Sequence, residues 1–297
     1  MAAKKGQVVA GKKLPGHRYL PGLALAVLVC VLAAAAAASP AAAARRPAVS
    51  VGHPPGYQIV TSGPVNAPPS ALDTGGSATC PAGTVVWGGG VSFVDGQDGS
   101  TLTVNTSEPD SAGWFATVNN TGTATAQFAV DAICASKPAG YGIYTESVDN
   151  PAGSQAHATA ECPYPQVVLG GGTLSTSDAA TAVQTSAWPV GPAKFTGYMY
   201  NATPDDARFT VFAVCGHRPT GYKIFSNNAS FGPGVLLDSI GCPAGKSVLD
   251  GGVKTVGHSP LVQVGGLIDE GPGGWSLKMN NDTASGQQVD LSDICAA

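Results

Sequence analysis

Cysteine is the residue type whose number and spacing in this sequence point most directly to chemistry. Beyond residue 44 there are six cysteines, in pairs separated by 54, 53 and 53 residues: Cys80 and Cys134, Cys162 and Cys215, Cys242 and Cys295. An even set at regular spacing is typical of a disulfide framework. The simplest scheme closes one disulfide within each pair, whereas a cyclic scheme joins each second cysteine to the first cysteine of the next pair. We favour the first scheme because a module of about 80 residues needs its own covalent link.

Residues for catalysis or metal binding are sparse and do not recur. None of the five histidines occupies a repeated position: His17, His53, His157, His217 and His258. The sequence has no Gly-x-Ser-x-Gly or His-Glu-x-x-His motif and no Cys-x-x-Cys pair for zinc. Asp95 and Asp98 form a fragment of a calcium-binding loop, but a plain turn explains this single occurrence better. The sequence therefore predicts no catalytic residue, no metal and no cofactor, and leaves open only a Ser, His and Asp set assembled in space.

A Cys-Pro stretch recurs three times without a gap, at residues 80–91, 162–173 and 242–253. The cysteines that open the copies are 82 and 80 residues apart, so the chain contains three tandem repeats of one module. The glycines in each copy predict a β-bulge, a sharp corner or the close approach of another strand. A phosphate-binding loop is excluded because no helix and no Lys-Ser/Thr pair follows. These glycines are Gly88, Gly89, Gly90, Gly170, Gly171, Gly172, Gly251 and Gly252.

Each repeat also contains a strand with a fixed apolar face, found by counting back from its second cysteine. The residues 20 positions before that cysteine are Trp114, Phe195 and Trp275, and their strand-mates on the same face include Val and Met. This alternation predicts that the three aromatic residues lie in the core. The residues 14 positions before it are Asn120, Asn201 and Asn281, which we expect to form turns by binding local backbone groups.

The predicted fold class is all-β, with three tandem antiparallel β modules. We expect five strands in each module and domains at residues 56–138, 139–219 and 220–297, after a flexible lead at 45–55. The joints are short, with six residues between Cys134 and Tyr141. Short joints favour packing with pseudo-three-fold symmetry, either β-prism-like or sandwich-like.

The N-terminal 44 residues have the layout of a secretory signal peptide. A basic region is followed by an apolar run at 23–38 and a small-residue tract at 39–44. The alternative is an uncleaved membrane anchor, although the run is short for a span. Cleavage leaves 10 Lys and Arg against 19 Asp and Glu, a formal charge of −9. Such a secreted chain has no electrostatic footprint for nucleic acid or anionic lipid.

Aromatic residues outside the repeated pattern are the candidates for a ligand surface. Together with Asn and Asp on loops they have the composition that carbohydrate recognition uses. The candidates are Trp87, Trp188, Tyr198, Tyr200 and, less centrally, Tyr164.

The repeat resembles a module of exported proteins of high-GC Gram-positive bacteria. The shared signature is C-P-x-G-x-x-V-x-G-G-G, then G-W, then N, then V-x-A-x-C, and the resemblance covers residues 56–297. The second repeat departs from it at Pro165 and Phe195, and the third at Asp250. The family's members mostly have no assigned activity, so the resemblance implies export and repetition. A fainter likeness is to three-fold β-prism proteins such as vitelline membrane outer layer protein.

The sequence alone is consistent with three functions. The first is a non-catalytic secreted or cell-surface protein with a structural or interaction role, which we favour. The second is a glycan-binding or cell-wall-binding module, and the third is an extracellular hydrolase. Buried repeated aromatic residues would favour the first, exposed ones the second, and a cleft with paired acids or histidines the third.

Overall fold

The structure, a computed structural model, describes residues 52–93, 101–177, 182–259, 261–269 and 274–297. The predicted signal segment, most of the lead and the Asp95–Asp98 loop lie outside these ranges. Over the described ranges the chain is built from 19 β-strands and no helix. The all-β prediction is therefore confirmed. No helix long and apolar enough to cross a membrane occurs in the described part of the chain.

Each repeat contributes its strands in the same order. The first repeat has β1 (Gln58–Thr61), β2 (Val65–Ala67), β3 (Thr74–Thr79), β4 (Thr84–Phe93), β5 (Leu102–Pro109), β6 (Gly113–Asn120) and β7 (Ala126–Ser136). The second has β8 (Gly142–Asn150), β9 (Ser154–Glu161), β10 (Val167–Ser175), β11 (Ala182–Pro189), β12 (Lys194–Asn201) and β13 (Ala207–Gly216). The third has β14 (Lys223–Phe231), β15 (Gly234–Gly241), β16 (Ser247–Thr255), β17 (Val262–Asp269), β18 (Gly274–Asn281) and β19 (Gln287–Ala296).

The expectation of five strands in each module is too low, since the first repeat has seven strands and the other two have six each. In the first repeat the opening strand is divided into β1 and β2, which both pair with β7. The strand that all three repeats add to the expected set is β3, β9 or β15, which directly precedes the strand of the Cys-Pro stretch. These strands pair with only one neighbour, at the edge of a sheet. Strands β3 and β9 consist mainly of small and polar residues, so they lack the run of large apolar side chains that predicts a strand, whereas β15 has the sequence GVLLDSIG.

Backbone hydrogen bonds join the strands into four antiparallel sheets. In the first, β1, β2 and β4 all pair with β7. The second has the order β3-β6-β5-β10-β13-β8, the third β14-β19-β16-β11-β12-β9, and the fourth β15-β18-β17. Each six-stranded sheet therefore joins strands of two repeats.

The sheets are arranged in a propeller-like ring of four, which corrects the expectation of three tandem modules packed with pseudo-three-fold symmetry. Strand β17 of the fourth sheet lies against β4 of the first. The repeats share sheets because glycine lets their strands approach closely. A Cβ atom on Gly172 of β10 would lie only 2.1 Å from the carbonyl oxygen of Ser107 on β5. Next to it, Thr173 pairs with Ser107 in the register of the second sheet.

The buried apolar residues form two clusters. One combines the first and third repeats and includes Trp114, Phe128 and Trp275. The other centres on the second repeat and includes Phe195 and Phe209, together with Trp87 from the first repeat. Because both clusters take residues from more than one repeat, no repeat buries its apolar face alone.

Candidate functional site

The six cysteines form three disulfides, one within each repeat. Cys80 is bonded to Cys134, Cys162 to Cys215, and Cys242 to Cys295. Their Cα atoms are 5.6, 5.6 and 5.8 Å apart, within the ordinary range for a disulfide. The pairing within repeats is thus confirmed against the cyclic scheme. Three disulfides in a chain of this size indicate an oxidising environment.

The repeated aromatic residues are structural. Trp114, Phe195 and Trp275 are 0%, 1% and 2% exposed. Each packs on the middle glycine of the Cys-Pro stretch: a Cβ atom on Gly171 would lie 2.2 Å from Cγ of Phe195, and one on Gly251 would lie 2.0 Å from Cδ1 of Trp275. The glycine and the aromatic residue therefore recur together because one makes room for the other.

The repeated asparagines are also used by the fold. The side-chain N–H groups of Asn201 donate to the carbonyl oxygens of Asn150 and Asp205, at 2.8 and 2.9 Å. Its carbonyl oxygen accepts from the backbone N–H and the hydroxyl of Thr203. Asn120 and Asn281 make matching sets of contacts. Each asparagine thus closes its own turn and also holds a neighbouring connection, as the turn interpretation expects.

Asp250 takes the position that Gly88 and Gly170 occupy in the other repeats. Its side chain is buried, and its Oδ2 atom accepts a hydrogen bond of 2.6 Å from the backbone N–H of Gly171. Burial raises the pKa of Asp250 well above its ordinary value, although hydrogen bonds from backbone N–H groups act in the opposite direction. Its role is to link the third repeat to the second inside the protein, out of reach of a ligand.

A second carboxyl group, that of Asp293, is buried near Asp250. Asp293 is 0% exposed, and neither of its carboxyl oxygens has a hydrogen-bond partner among the described residues. Burial and the neighbouring Asp250 raise the pKa of Asp293 to about 8. A carboxyl group in this setting holds its proton at neutral pH.

The predicted ligand-surface residues divide into buried and accessible ones. Trp87 is a correction as part of an exposed surface, because it is 3% exposed and packs in the second core cluster; it borders only the pocket between the repeats that is described below. Strand β4, which carries it, is covered on both faces at this point. Tyr164 is 98% exposed but stands apart, whereas Trp188, Tyr198 and Tyr200 are half-buried.

Trp188 and Tyr198 belong to a surface group that also contains two histidines and a lysine. We call this group the aromatic–histidine cluster: His157, Trp188, Tyr198, Lys254 and His258. The ring of Tyr198 stacks on that of His258 with centroids 3.9 Å apart and on that of His157 at 5.1 Å. Trp188 lies nearly parallel to Tyr198 at 5.8 Å, and Lys254 Nζ lies 5.9 Å from the Trp188 ring centroid.

The backbone explains how the cluster is assembled. Tyr198 of β12 is directly opposite His157 of β9 in the sheet. His258 follows β16 in a turn, with φ angles of 84° at Gly257 and 51° at His258. A left-handed conformation is uncommon for a residue other than glycine, so this turn holds its imidazole in a specific place over the tyrosine.

The environment of His258 disfavours its protonation. Burial lowers the pKa of His258, and electrostatic interactions with Lys254 and His157 lower it further. Its Nδ1 atom is buried and has no hydrogen-bond partner among the residues that the structure describes. The cluster therefore offers flat ring surfaces next to one ammonium group.

This arrangement suits recognition more than catalysis. Parallel aromatic faces and nearby polar groups are used to bind flat or ring-shaped molecules such as sugars. Three or more metal-ligating side chains are not grouped anywhere in the described ranges. Sequence reasoning missed His157, Lys254 and His258, and no sequence signal marks them because none of the three recurs between repeats.

A pocket of about 430 Å³ near the first disulfide provides an acidic residue, Asp110. Its Oδ1 atom accepts hydrogen bonds from the backbone N–H groups of Ala112 and Gly113, both at 2.6 Å. Asp110 is therefore engaged in forming its own turn, which makes this pocket a weaker candidate than the cluster.

Comparison with known proteins does not assign the chain to a family. No protein-family model matches the chain, and no curated protein sequence is significantly similar to it.

Proposed function

We propose that this is a non-catalytic secreted or cell-surface protein that acts by binding another molecule. The observation that supports the proposal is that the repeated and the unrepeated residues have different roles. The repeated cysteines, glycines, aromatic residues and asparagines serve the fold, whereas the aromatic–histidine cluster consists of unrepeated residues gathered at the surface. Surface chemistry that packing does not require is a usual mark of a binding site.

Export through a cleaved signal peptide is part of this proposal. The disulfides support an oxidising compartment, and the basic, apolar and small-residue layout of residues 1–44 supports secretion. N-terminal sequencing of secreted material should give a chain that starts near Ser39 or Arg45. Recovery of the intact N-terminus only in membranes would indicate an anchored protein instead.

We also propose that the chain is related to the exported repeat proteins of high-GC Gram-positive bacteria described above. The spacing of the Cys-Pro, Gly-Trp, Asn and closing cysteine positions supports this relationship.

Glycan binding is the second candidate, and the aromatic–histidine cluster is the observation that favours it. The rings of Trp188 and Tyr198 lie nearly parallel, with an interplanar angle of 18°. The apolar face of a pyranose packs on such rings, while the ammonium group of Lys254 binds its hydroxyl groups.

Binding of the mature protein to a glycan array and to purified cell-wall polysaccharide tests both candidates. We expect Trp188→Ala and Tyr198→Ala each to weaken binding at least about tenfold, as loss of a central aromatic contact does. Tyr144→Ala is the matched control, because Tyr144 is 37% exposed but lies outside the cluster. Glycan binding that survives both cluster variants would exclude this surface, and binding to no glycan would leave a protein partner as the target of the first proposal.

A further inference from the structure

The joints between the repeats meet at a pocket of about 340 Å³ that shares no residue with the aromatic–histidine cluster. Its lining includes Pro54 before the first repeat, Lys137 and Pro138 before the second, and Arg218 and Pro219 before the third. Proline has a restricted backbone, so this wall is rigid. The volume is that of a pocket for a small molecule.

Three tyrosines fix the geometry of the joints. Tyr57 donates a hydrogen bond from its hydroxyl to the carbonyl oxygen of Val248 at 2.8 Å. Tyr141 donates in the same way to Val86 at 3.0 Å, and Tyr222 to Val168 at 2.8 Å. The three acceptors occupy equivalent positions in the Cys-Pro stretches. Each tyrosine therefore locks its own joint to a different repeat.

A basic residue stands four positions before each of these tyrosines and lies over its ring. Lys137 Nζ is 5.7 Å from the ring centroid of Tyr141, and Arg218 Cζ is 5.2 Å from that of Tyr222. His53 stacks on Tyr57 at 5.3 Å, outside the lining itself. Attraction between a cation and an aromatic face thus holds Lys137 and Arg218 at the pocket.

The charge of the pocket is positive and uncompensated by acidic side chains. Lys137 and Arg218 take part in none of the ion pairs between described residues, and no acidic side chain lines the pocket. His217 adds a third nitrogen-bearing side chain.

The lining also has an apolar part with an unused donor. Trp87 is 3% exposed and lines the pocket, and its Nε1 atom has no hydrogen-bond partner among the described residues. A buried indole N–H without a partner is unusual, because such groups normally find an acceptor. Rings of proline and tryptophan next to two cations complement a ligand that is apolar at one end and anionic at the other.

We propose that this pocket binds a small organic anion, namely a ring that carries a carboxylate, sulfate or phosphate group. The guanidinium of Arg218 and the ammonium of Lys137 bind the oxyanion, and the prolines and Trp87 contact the ring. Arg is suited to this role because its fork of N–H donors matches two oxygens of an oxyanion.

Isothermal titration calorimetry with naphthalene-2-sulfonate tests the proposal on the mature, oxidised protein. We expect saturable binding below about 10 mM that weakens as salt is added. The double variant K137Q/R218Q should lose at least about tenfold in affinity. The double variant R208Q/K223Q is the matched control, because it removes the same charge from positions outside the pocket and Lys223 also lies over a ring, that of Phe225, at 4.8 Å.

The outcomes separate this site from simple charge attraction and from the cluster. Equal weakening in both double variants, or no saturable binding, would overturn the proposal. Binding of 2-naphthylmethanol as tight as that of the sulfonate would also overturn it, because the neutral ring lacks the oxyanion. Trp188→Ala should leave sulfonate binding unchanged, so a failure of the glycan proposal does not decide this one. All four substituted side chains are on the surface, and circular dichroism should show intact folding.

Discussion

The Oδ2 atom of Asp250 lies 2.6 Å from the backbone nitrogen of Gly171, which donates a hydrogen bond to it across the boundary between the third and second repeats. The carboxyl group fits there because the neighbouring position has no side chain. A Cβ atom on Gly170 would lie 2.7 Å from this same oxygen and 2.2 Å from the carbonyl oxygen of Trp87. The departure of the third repeat from the glycine pattern is thus accommodated by the glycines of the others.

Gly170→Ala should therefore destabilise the protein by about 1–3 kcal/mol or more, because the new methyl group meets backbone that cannot move aside. Gly63→Ala is the control, since a Cβ atom there would have nothing within 4 Å. Urea unfolding followed by fluorescence measures both free energies. Equal stability of the two variants would show that the strands do not approach as closely as described.

The buried carboxyl group of Asp293 should make stability fall as the pH rises. With its pKa at about 8, the folded protein keeps a proton that the unfolded chain loses near pH 4. Between these pH values the folded state therefore binds more protons than the unfolded state. The contribution of protonated Asp293 to the stability of the folded state is complete below about pH 4 and is lost as the pH rises to about 8.

Asp293→Asn removes this ionisation, so we expect a flatter pH profile and a higher free energy of unfolding at pH 8 and above. Each unit of pKa difference corresponds to about 1.4 kcal/mol. Asp149→Asn serves as the control, because the side chain of Asp149 is 90% exposed. Unfolding curves recorded from pH 4 to 9 give the comparison, and identical profiles for Asp293→Asn and the parent would contradict the assignment.

The two repeated tryptophans should respond differently to substitution. Trp275→Ala should cost about 3–5 kcal/mol because it empties a large buried site. Trp114 donates a hydrogen bond from Nε1 to the hydroxyl of Ser107 at 2.9 Å, whereas Nε1 of Trp275 has no partner among the described residues. Trp114→Phe should therefore cost about 1 kcal/mol more than Trp275→Phe. Thermal and urea melts of the oxidised variants test this, and a Trp275→Ala protein as stable as the parent would refute the core assignment.

The disulfide within each repeat should be essential for stability. The double variant C162A/C215A removes a link between residues 53 positions apart, and we expect a loss of about 2–5 kcal/mol. Peptide mapping without reduction should recover Cys80 joined to Cys134. A peptide joining Cys134 to Cys162 would instead support the cyclic scheme.

The sequence by itself determined the properties that depend on local pattern and repetition. The spacing of Cys80 and Cys134, repeated twice, predicted the disulfides, because cysteines at equivalent positions of a repeat have equivalent neighbours. The alternation around Trp275 predicted a buried strand face, since side chains in a strand point to opposite faces in turn.

Only the tertiary structure decided which strands share a sheet and which unrepeated residues meet. Trp87 was among the surface candidates because it lies outside the repeated aromatic pattern, but β4 is packed on both faces, and a bulge between Val86 and Gly88 interrupts its register. The aromatic–histidine cluster draws its rings from β9, β11, β12 and the turn after β16. Its members are brought together by the pairing of Tyr198 with His157 and of Ala187 with Val253, and these long-range pairings leave no periodic trace in the sequence.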